Sequence, residues 1–391
     1  MGKFMRSLLP CKNKLLSLAL PITYATVFLS SASLTMAATV YDHEGTSLDI
    51  FGNIRAMYVN EHAYQDIAKY DSKDNGIYAS ARLGIAARSS INHGLDAIAM
   101  AQWDTKADEQ GHYGYLGQTK YMFAGFDAYQ YGTLIAGRGD NAYYSVAGAT
   151  DIFNIIDAQA SDYYIYGDQR PSQLMYSLRA LSWDLKLSYM LATNELGQTP
   201  LNAKRGMSAS ISTKFGDDIT FAYGIDYYKF NFDVNQSSAE QFFAHQFVAD
   251  GFSYTDALMR SQNHHVGTKK EYGMALSYGV LGSGLYAALV LGTTDYDYLA
   301  HQLYTVDTAI NYTMDNGVSM SLGYGLKRYE DINIVSQLTV GLSYQVNSVF
   351  KLFSEAQFNL DGEADQFYGK TMCDLLNLNE NKIALGAEIS F

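Results

Sequence analysis

The 391-residue sequence is short of cysteine, proline, tryptophan and charge. Cys11 and Cys373 are its only cysteines, too few for a disulfide framework once the N-terminus is removed. It has 4 prolines and 2 tryptophans, and charged residues make up 17 %. Past the N-terminal segment, no run approaches the roughly 20 apolar residues of a membrane-spanning helix. Basic charge is also scarce. Twenty-seven Lys and Arg against 40 Asp and Glu give −13, which excludes the basic face that a nucleic-acid partner requires. There is no nucleophile elbow, and none of the 8 histidines falls in a catalytic pattern, so no catalytic residue is assigned. His264-His265 lacks a third ligand at a typical spacing, so neither a metal nor another cofactor is expected.

Tyrosine and glycine are abundant, 33 of each, a composition of many short strands and turns. The N-terminus has a separate character. Lys3, Arg6, Lys12 and Lys14 precede the mostly apolar LLSLALPITYATVFL, and SSASLTMAA supplies small residues for cleavage before Ala38. Residues 1–37 thus read as a secretory signal peptide and 38–391 as the exported protein. Its loss removes four basic and no acidic residues, leaving 23 against 40 and a net charge of −17.

Period-two alternation dominates the remainder, placing successive side chains on opposite faces of a strand. Leu48, Ile50, Ile54 and Tyr58 alternate with Asp49, Asn53 and Arg55. Val318, Met320, Leu322 and Tyr324 oppose Ser319, Ser321 and Gly323, and the closing NKIALGAEISF puts Lys382, Glu388 and Ser390 opposite Ile383, Leu385 and Ile389. About sixteen such segments of roughly ten residues recur, the length of a tilted membrane-crossing strand. Short joints (Asn92-His93-Gly94, Gly216-Asp217-Asp218, Asp315-Asn316-Gly317) alternate with long ones (Asp104 to Gln118, Gly139 to Arg170, Asp233 to Thr268, Leu360 to Glu380). A β-sandwich would bury its apolar face between two sheets. Here that face is bracketed by aromatics, as at a membrane interface, and the other is small and polar, as in a wet lumen. Unpaired backbone in hydrocarbon costs several kcal/mol per group, so the sheet closes. Sixteen strands leave a lumen too wide for side chains to fill. The expected fold is therefore all-β, a 16-stranded antiparallel transmembrane barrel.

Several stretches resemble the general porins of the Gram-negative outer membrane, the OmpF/OmpC type. They are the start ATVYDHEGTSLDIFGNI, the hairpin SARLGIAARSSINHGLDAIAMAQWD, the stretch KYMFAGFDAYQYGTLIAGRGDN and the terminal Phe391. The resemblance spans residues 38–391, strongest to about Asp151 and mainly pattern afterwards. It implies a homotrimer of barrels in outer-membrane lipid and lipopolysaccharide, each a passive channel for small hydrophilic solutes. It also implies that the third external loop folds inward to narrow the lumen, and that Phe391 is part of the signal read by the outer-membrane assembly machinery.

The resemblance implies a basic wall cluster facing acidic residues of that loop. By motif, Arg82 matches the arginine of Ala-Arg-Leu-Gly and Arg138 that of Tyr-Gly-Arg, here Ala136-Gly137-Arg138. Arg55 stands in for a wall lysine whose own place is Asn53, and Arg170 is a fourth basic candidate after the loop. Alternation also points Arg55 and Arg82 at the lumen. In GATDIFNIIDAQASD the acidic candidates are Asp151, Asp157 and Asp162; Ile155 occupies the place of the family's loop-tip Glu. The carboxylate excess suggests a bias toward cations. A substrate-selective porin, for oligosaccharides for instance, stays open as the alternative. Tyr228, Tyr286 and Phe353 have the parity of a lumen-facing stacking path.

Overall fold

The computed structural model describes residues 37–60, 76–107, 118–156, 160–165, 169–191, 202–231, 236–262, 266–370, 372–373 and 378–391. Apart from Ala37, the expected signal peptide lies outside them, as do Asp157 and His264-His265.

Seventeen strands build one sheet. They are β1 Ala38–His43, β2 Thr46–Val59, β3 Gly76–Asn92, β4 Leu95–Ala107, β5 Gln118–Asp127, β6 Thr133–Asp140, β7 Gln169–Ala180, β8 Trp183–Met190 and β9 Asn202–Phe215. β10 Ile219–Asn231, β11 Val266–Val280, β12 Ser283–Tyr296, β13 Leu303–Thr313, β14 Val318–Tyr329, β15 Ile332–Gln345, β16 Phe350–Asn359 and β17 Lys382–Ser390 complete it. From β2 onward each strand pairs antiparallel with the next, and β17 pairs with β2, so sixteen staves close into a barrel. β1 is the seventeenth segment. It folds back at Glu44-Gly45 and pairs with the start of β2, Ala38 opposite Ile50, while Ser390 of β17 stands opposite Asn53. The first and last strands thus share one stave. Gly52 and Phe391 exchange both backbone hydrogen bonds, at 2.8 and 2.9 Å, between them.

The strands form where the alternation places them. Leu322, Leu342, Leu285 and Leu352 are 43–50 % exposed on the outer face, where a soluble sheet would bury them. Tyr278, Tyr304, Tyr312 and Tyr344 stand toward the ends of the outer face of β11, β13 and β15, as amphipathic rings do at a lipid–water boundary. One barrel end is joined by links of two to five residues, from Asn92/Leu95 to Gln345/Phe350. At the other end eight connections, here loops 1 to 8, range from 2 residues in loop 7 (330–331) to 34 in loop 5 (232–265).

Among the described residues, three of these loops carry helices. Loop 3 (141–168) contains α1 Tyr144–Ala147 and α2 Asp162–Ile165; loop 5 contains α3 Gln236–Ala249 and α4 Tyr254–Gln262; loop 8 (360–381) contains α5 Ala364–Tyr368. Loop 3 turns into the lumen. Tyr143, Val146, Ala147 and Tyr163 bury against Ala222, Ala275 and Val290 of β10, β11 and β12. Two wall glycines make room for this approach: a Cβ on Gly273 would lie 2.3 Å from the Tyr143 hydroxyl, and one on Gly224 3.0 Å from Val146. Farther along, Phe153 lies against Gly323 and Gly341, so the loop follows the inner wall from β10 to β16.

Candidate pore constriction

A row of charged side chains crosses the inner wall on six consecutive staves, β16, β17, β2, β3, β4 and β5. In that order they are Lys351, Glu388, Arg55, Arg82, Asp104 and Lys120. Register produces most of it. Lys351 stands opposite Glu388, Glu388 opposite Arg55, and Arg82 opposite Asp104. Lys120 falls where the β4–β5 register slips, between Tyr121 and Thr119, and that bulge re-aims it toward Asp104, 3.9 Å away.

The contacts are close. Arg55 Nε donates to Glu388, whose other oxygen lies 3.3 Å from Lys351 Nζ. Arg82 makes a two-pronged contact with Asp104, Nε to Oδ1 at 2.7 Å and Nη2 to Oδ2 at 2.9 Å. The arginines and Asp104 keep 18–23 % of their side chains exposed. Partly solvated pairs of this kind stabilise a fold by roughly 0–1 kcal/mol, so the row matters for the field it sets in the lumen.

The tip of loop 3 docks beside this row. Glu355 of β16 accepts from the backbone N–H groups of Asn154 (2.5 Å), Ile155 (2.9 Å) and Ile156 (3.2 Å), and from Asn154 Nδ2 (2.7 Å). Arg55 Nη1 donates to Asn154 O at 3.1 Å and Lys351 Nζ to Asn154 Oδ1 at 2.6 Å. Ile155 packs onto a cluster of Met57, Val59, Phe353 and Ala384. An apolar residue thus occupies the tip, and its negative partner comes from the wall.

The return limb is stitched to the wall by buried charge. Asp162 is 0 % exposed, accepts from Lys327 Nζ at 2.5 Å and from the Tyr296 hydroxyl at 3.0 Å. Burial opposes its ionisation, but the Lys327 ammonium outweighs it and holds the carboxyl below the usual carboxylate range. Next to it, Ser161 donates to Glu271 at 2.7 Å, and Glu271 with Asp226 flanks Lys269 at 2.7 and 3.1 Å. Tyr143 and Tyr144 in loop 3 have hydroxyl pKa values pushed well above normal, by burial first and then by Glu271 and Asp151 respectively.

The expected site residues separate accordingly. Arg55 and Arg82 face the lumen in the charged row. Asp151 is half-buried in loop 3 and accepts from the Tyr144 hydroxyl at 2.9 Å. Two expectations need correction. Asp162 has no face on the lumen because it anchors the loop's return. Arg170 is 1 % exposed, donating to the Tyr228 hydroxyl at 2.7 Å and Tyr163 O at 2.9 Å, with its guanidinium over both rings. A third correction concerns Arg138. It stands opposite Met122 in the β5–β6 register, is half-buried with its Nε shielded from solvent, and lies where the β6–β7 register breaks between Gly137 and Gly139, so it does not join the charged row. Glu388, Lys351 and Glu355 were missed, although each lies on the polar parity of its strand, opposite Leu385, Leu352 and Phe358. Asp104, expected at the start of a loop, lies in β4, where the register makes it the partner of Arg82. Among the described residues, no three His, Cys, Asp or Glu side chains converge as a metal site requires.

No family model matches the sequence. Curated proteins do. Outer membrane porin PhoE of Klebsiella pneumoniae is 26 % identical over 356 residues, covering 85 % of this chain and 90 % of that protein. Outer membrane protein S2 of Salmonella typhi is 22 % identical over 387 residues, covering 91 % and 95 %. Among solved structures, OmpF of Salmonella typhi in complex with daunomycin superposes with a TM-score of 0.67 at 15 % identity, over 90 % of this chain and all of that one. OmpT of Vibrio cholerae, an outer membrane protein solved in a trimer form, gives 0.59 at 13 %, over 89 % and all. Over most of its length the chain is thus similar to outer-membrane porins, and it shares with them the closed 16-stave barrel with short turns at one end and long loops at the other.

Proposed function

We propose that this outer-membrane porin conducts ions and small hydrophilic solutes passively through a neck between loop 3 and the charged row from Lys351 to Lys120. The observation that carries this reading is the charged row itself, partly solvated on the inner wall beside an inward-folded loop. Opposed charges lining a wet neck set a transverse field in which a dipolar solute can align, whereas an apolar one must displace ordered water. The row holds four cations and two carboxylates, so the neck is less cation-favouring than the whole-chain charge of −13 implies.

Unselective diffusion is favoured over an oligosaccharide path. Tyr228 holds Arg170, Tyr286 donates to Ala149 O of loop 3 at 2.6 Å, and Phe353 packs in the wall cluster under Ile155. None is left as a rung for stacking sugars. No catalytic role is assigned to any residue. A homotrimer is the proposed assembly. The outward positions of β3 to β6 are rich in alanine (Ala79, Ala81, Ala97, Ala99, Ala124, Ala136), which lets a neighbouring barrel approach closely. Residues 1–37 are proposed to direct export, and Phe391, at the end of the shared stave, to be read by the assembly machinery. Lipopolysaccharide is the proposed outer-leaflet neighbour. Single-channel recording of the refolded protein in planar bilayers, with a salt gradient and then with oligosaccharides, tests this. Large ohmic steps indifferent to sugar are expected, and sugar block at low concentration would favour the selective reading.

A further inference from the structure

We propose that the helices of loops 5 and 8 form a size filter at the outer mouth, in series with the neck and independent of its charges. This rests on the channel function proposed above. At the long-loop end, Met190 of β8, Tyr228 and Phe230 of β10, Tyr296 of β12, Leu303 of β13 and Tyr329 of β14 point inward, yet are only 0–3 % exposed. A water-filled mouth would leave these apolar surfaces wet, at a cost proportional to their area. The helices cover them instead. Phe242, Phe243 and Phe247 of α3 and Phe367 and Tyr368 of α5 are themselves 0–5 % exposed in the same cluster. Phe242 stacks on Tyr368 with centroids 5.7 Å apart, and Phe243 meets Tyr298 of loop 6 (297–302) edge-on at 4.7 Å.

Polar ties fix the cap. The Tyr298 hydroxyl donates to Gln246 Oε1 at 2.6 Å, while Asp250 accepts from Ala300 N at 3.1 Å and from the Tyr329 hydroxyl. The covered staves run from β8 to β15, half the circumference. The charged row runs from β16 to β5, under the other half. Among the described residues, the cap therefore narrows the mouth on the staves that the row leaves free. The side chains that seal the cap are the rings of Phe242, Phe243, Phe247, Phe367 and Tyr368, which carry no charge, so the cap discriminates by volume.

Cys373, the only cysteine of residues 38–391, is 5 % exposed inside the cap's core and reports on it. The experiment uses the full-length barrel in liposomes and planar bilayers, graded neutral sugars and polyethylene glycols as size probes, and a maleimide for Cys373. For the native protein, Cys373 should stay unlabelled while the channel conducts. Phe243→Asp, or the milder Phe242→Ala with Gln246→Ala, should expose Cys373 to label, raise conductance and admit larger probes, with reversal potential unchanged. Rapid labelling of native, conducting protein would overturn the cap. Variants that label but keep the native size cut-off would overturn the filter. A native barrel that conducts nothing would remove the channel reading first, and the filter with it.

Discussion

Arg82 and Glu388 occupy the same row with opposite charges, so single substitutions should shift ion preference in opposite directions. Arg82→Gln is expected to move the reversal potential toward cations and Glu388→Gln toward anions, whereas Arg138→Gln, outside the row, should leave it unchanged. Bi-ionic or salt-gradient potentials in planar bilayers measure all three. Asp162 serves stability instead. Its folded pKa lies below its unfolded value, so its contribution is full above the normal carboxylate pKa and is lost as pH falls through the folded value. Melting of native protein should hold from neutral pH down to about 4 and drop below it, in that range of unfolded Asp values. Lys327→Met should flatten this acid dependence while lowering stability at neutral pH, because it strands a buried carboxylate. At this scale the sequence was legible where alternation was regular: Arg55 and Arg82 follow from parity. It was not legible at Arg170 and Asp162, because parity tells which face a side chain takes and says nothing of what later covers that face. Glu355 was invisible for a related reason, since three of its four donors are backbone N–H groups and carry no residue signature.

Loop 3 behaves as an element because wall carboxylates hold both its tip and its return. Glu355→Ala would leave three tip N–H groups and Asn154 Nδ2 without their acceptor; each unsatisfied buried group costs about 1–3 kcal/mol. The tip should detach without unfolding the barrel, seen as noisier open-channel current and altered conductance at unchanged heat-modifiable mobility on gels. The strands and their inner and outer faces could be read in advance because each carries its own period. The helices of loop 5 could not. Asp233 to Thr268 showed only as a long joint, since α3 is enclosed by rings on several sides and needs no continuous polar face to declare itself.

For the whole molecule, lipid is the solvent of the outer face, and the barrel's stability is set there as much as within. Leu322, in the middle of β14 and 45 % exposed, is a suitable site. Leu322→Arg should destabilise folding by about 2–4 kcal/mol, the cost of arginine near the bilayer midplane. The neighbouring inward exchange Ser321→Arg should be far milder; urea titration of folding into lipid vesicles compares them. The shared stave has a consequence for connectivity. Along β2, Ala38 and Ser390 lie opposite positions three residues apart, roughly 10 Å. A short peptide could therefore bridge the two ends, and the chain could be reopened at a tight joint such as Leu281-Gly282 with every ladder pair retained. Such a circular permutant would place its new ends in a turn at the short-link end of the barrel and its old ends in an unbroken hoop.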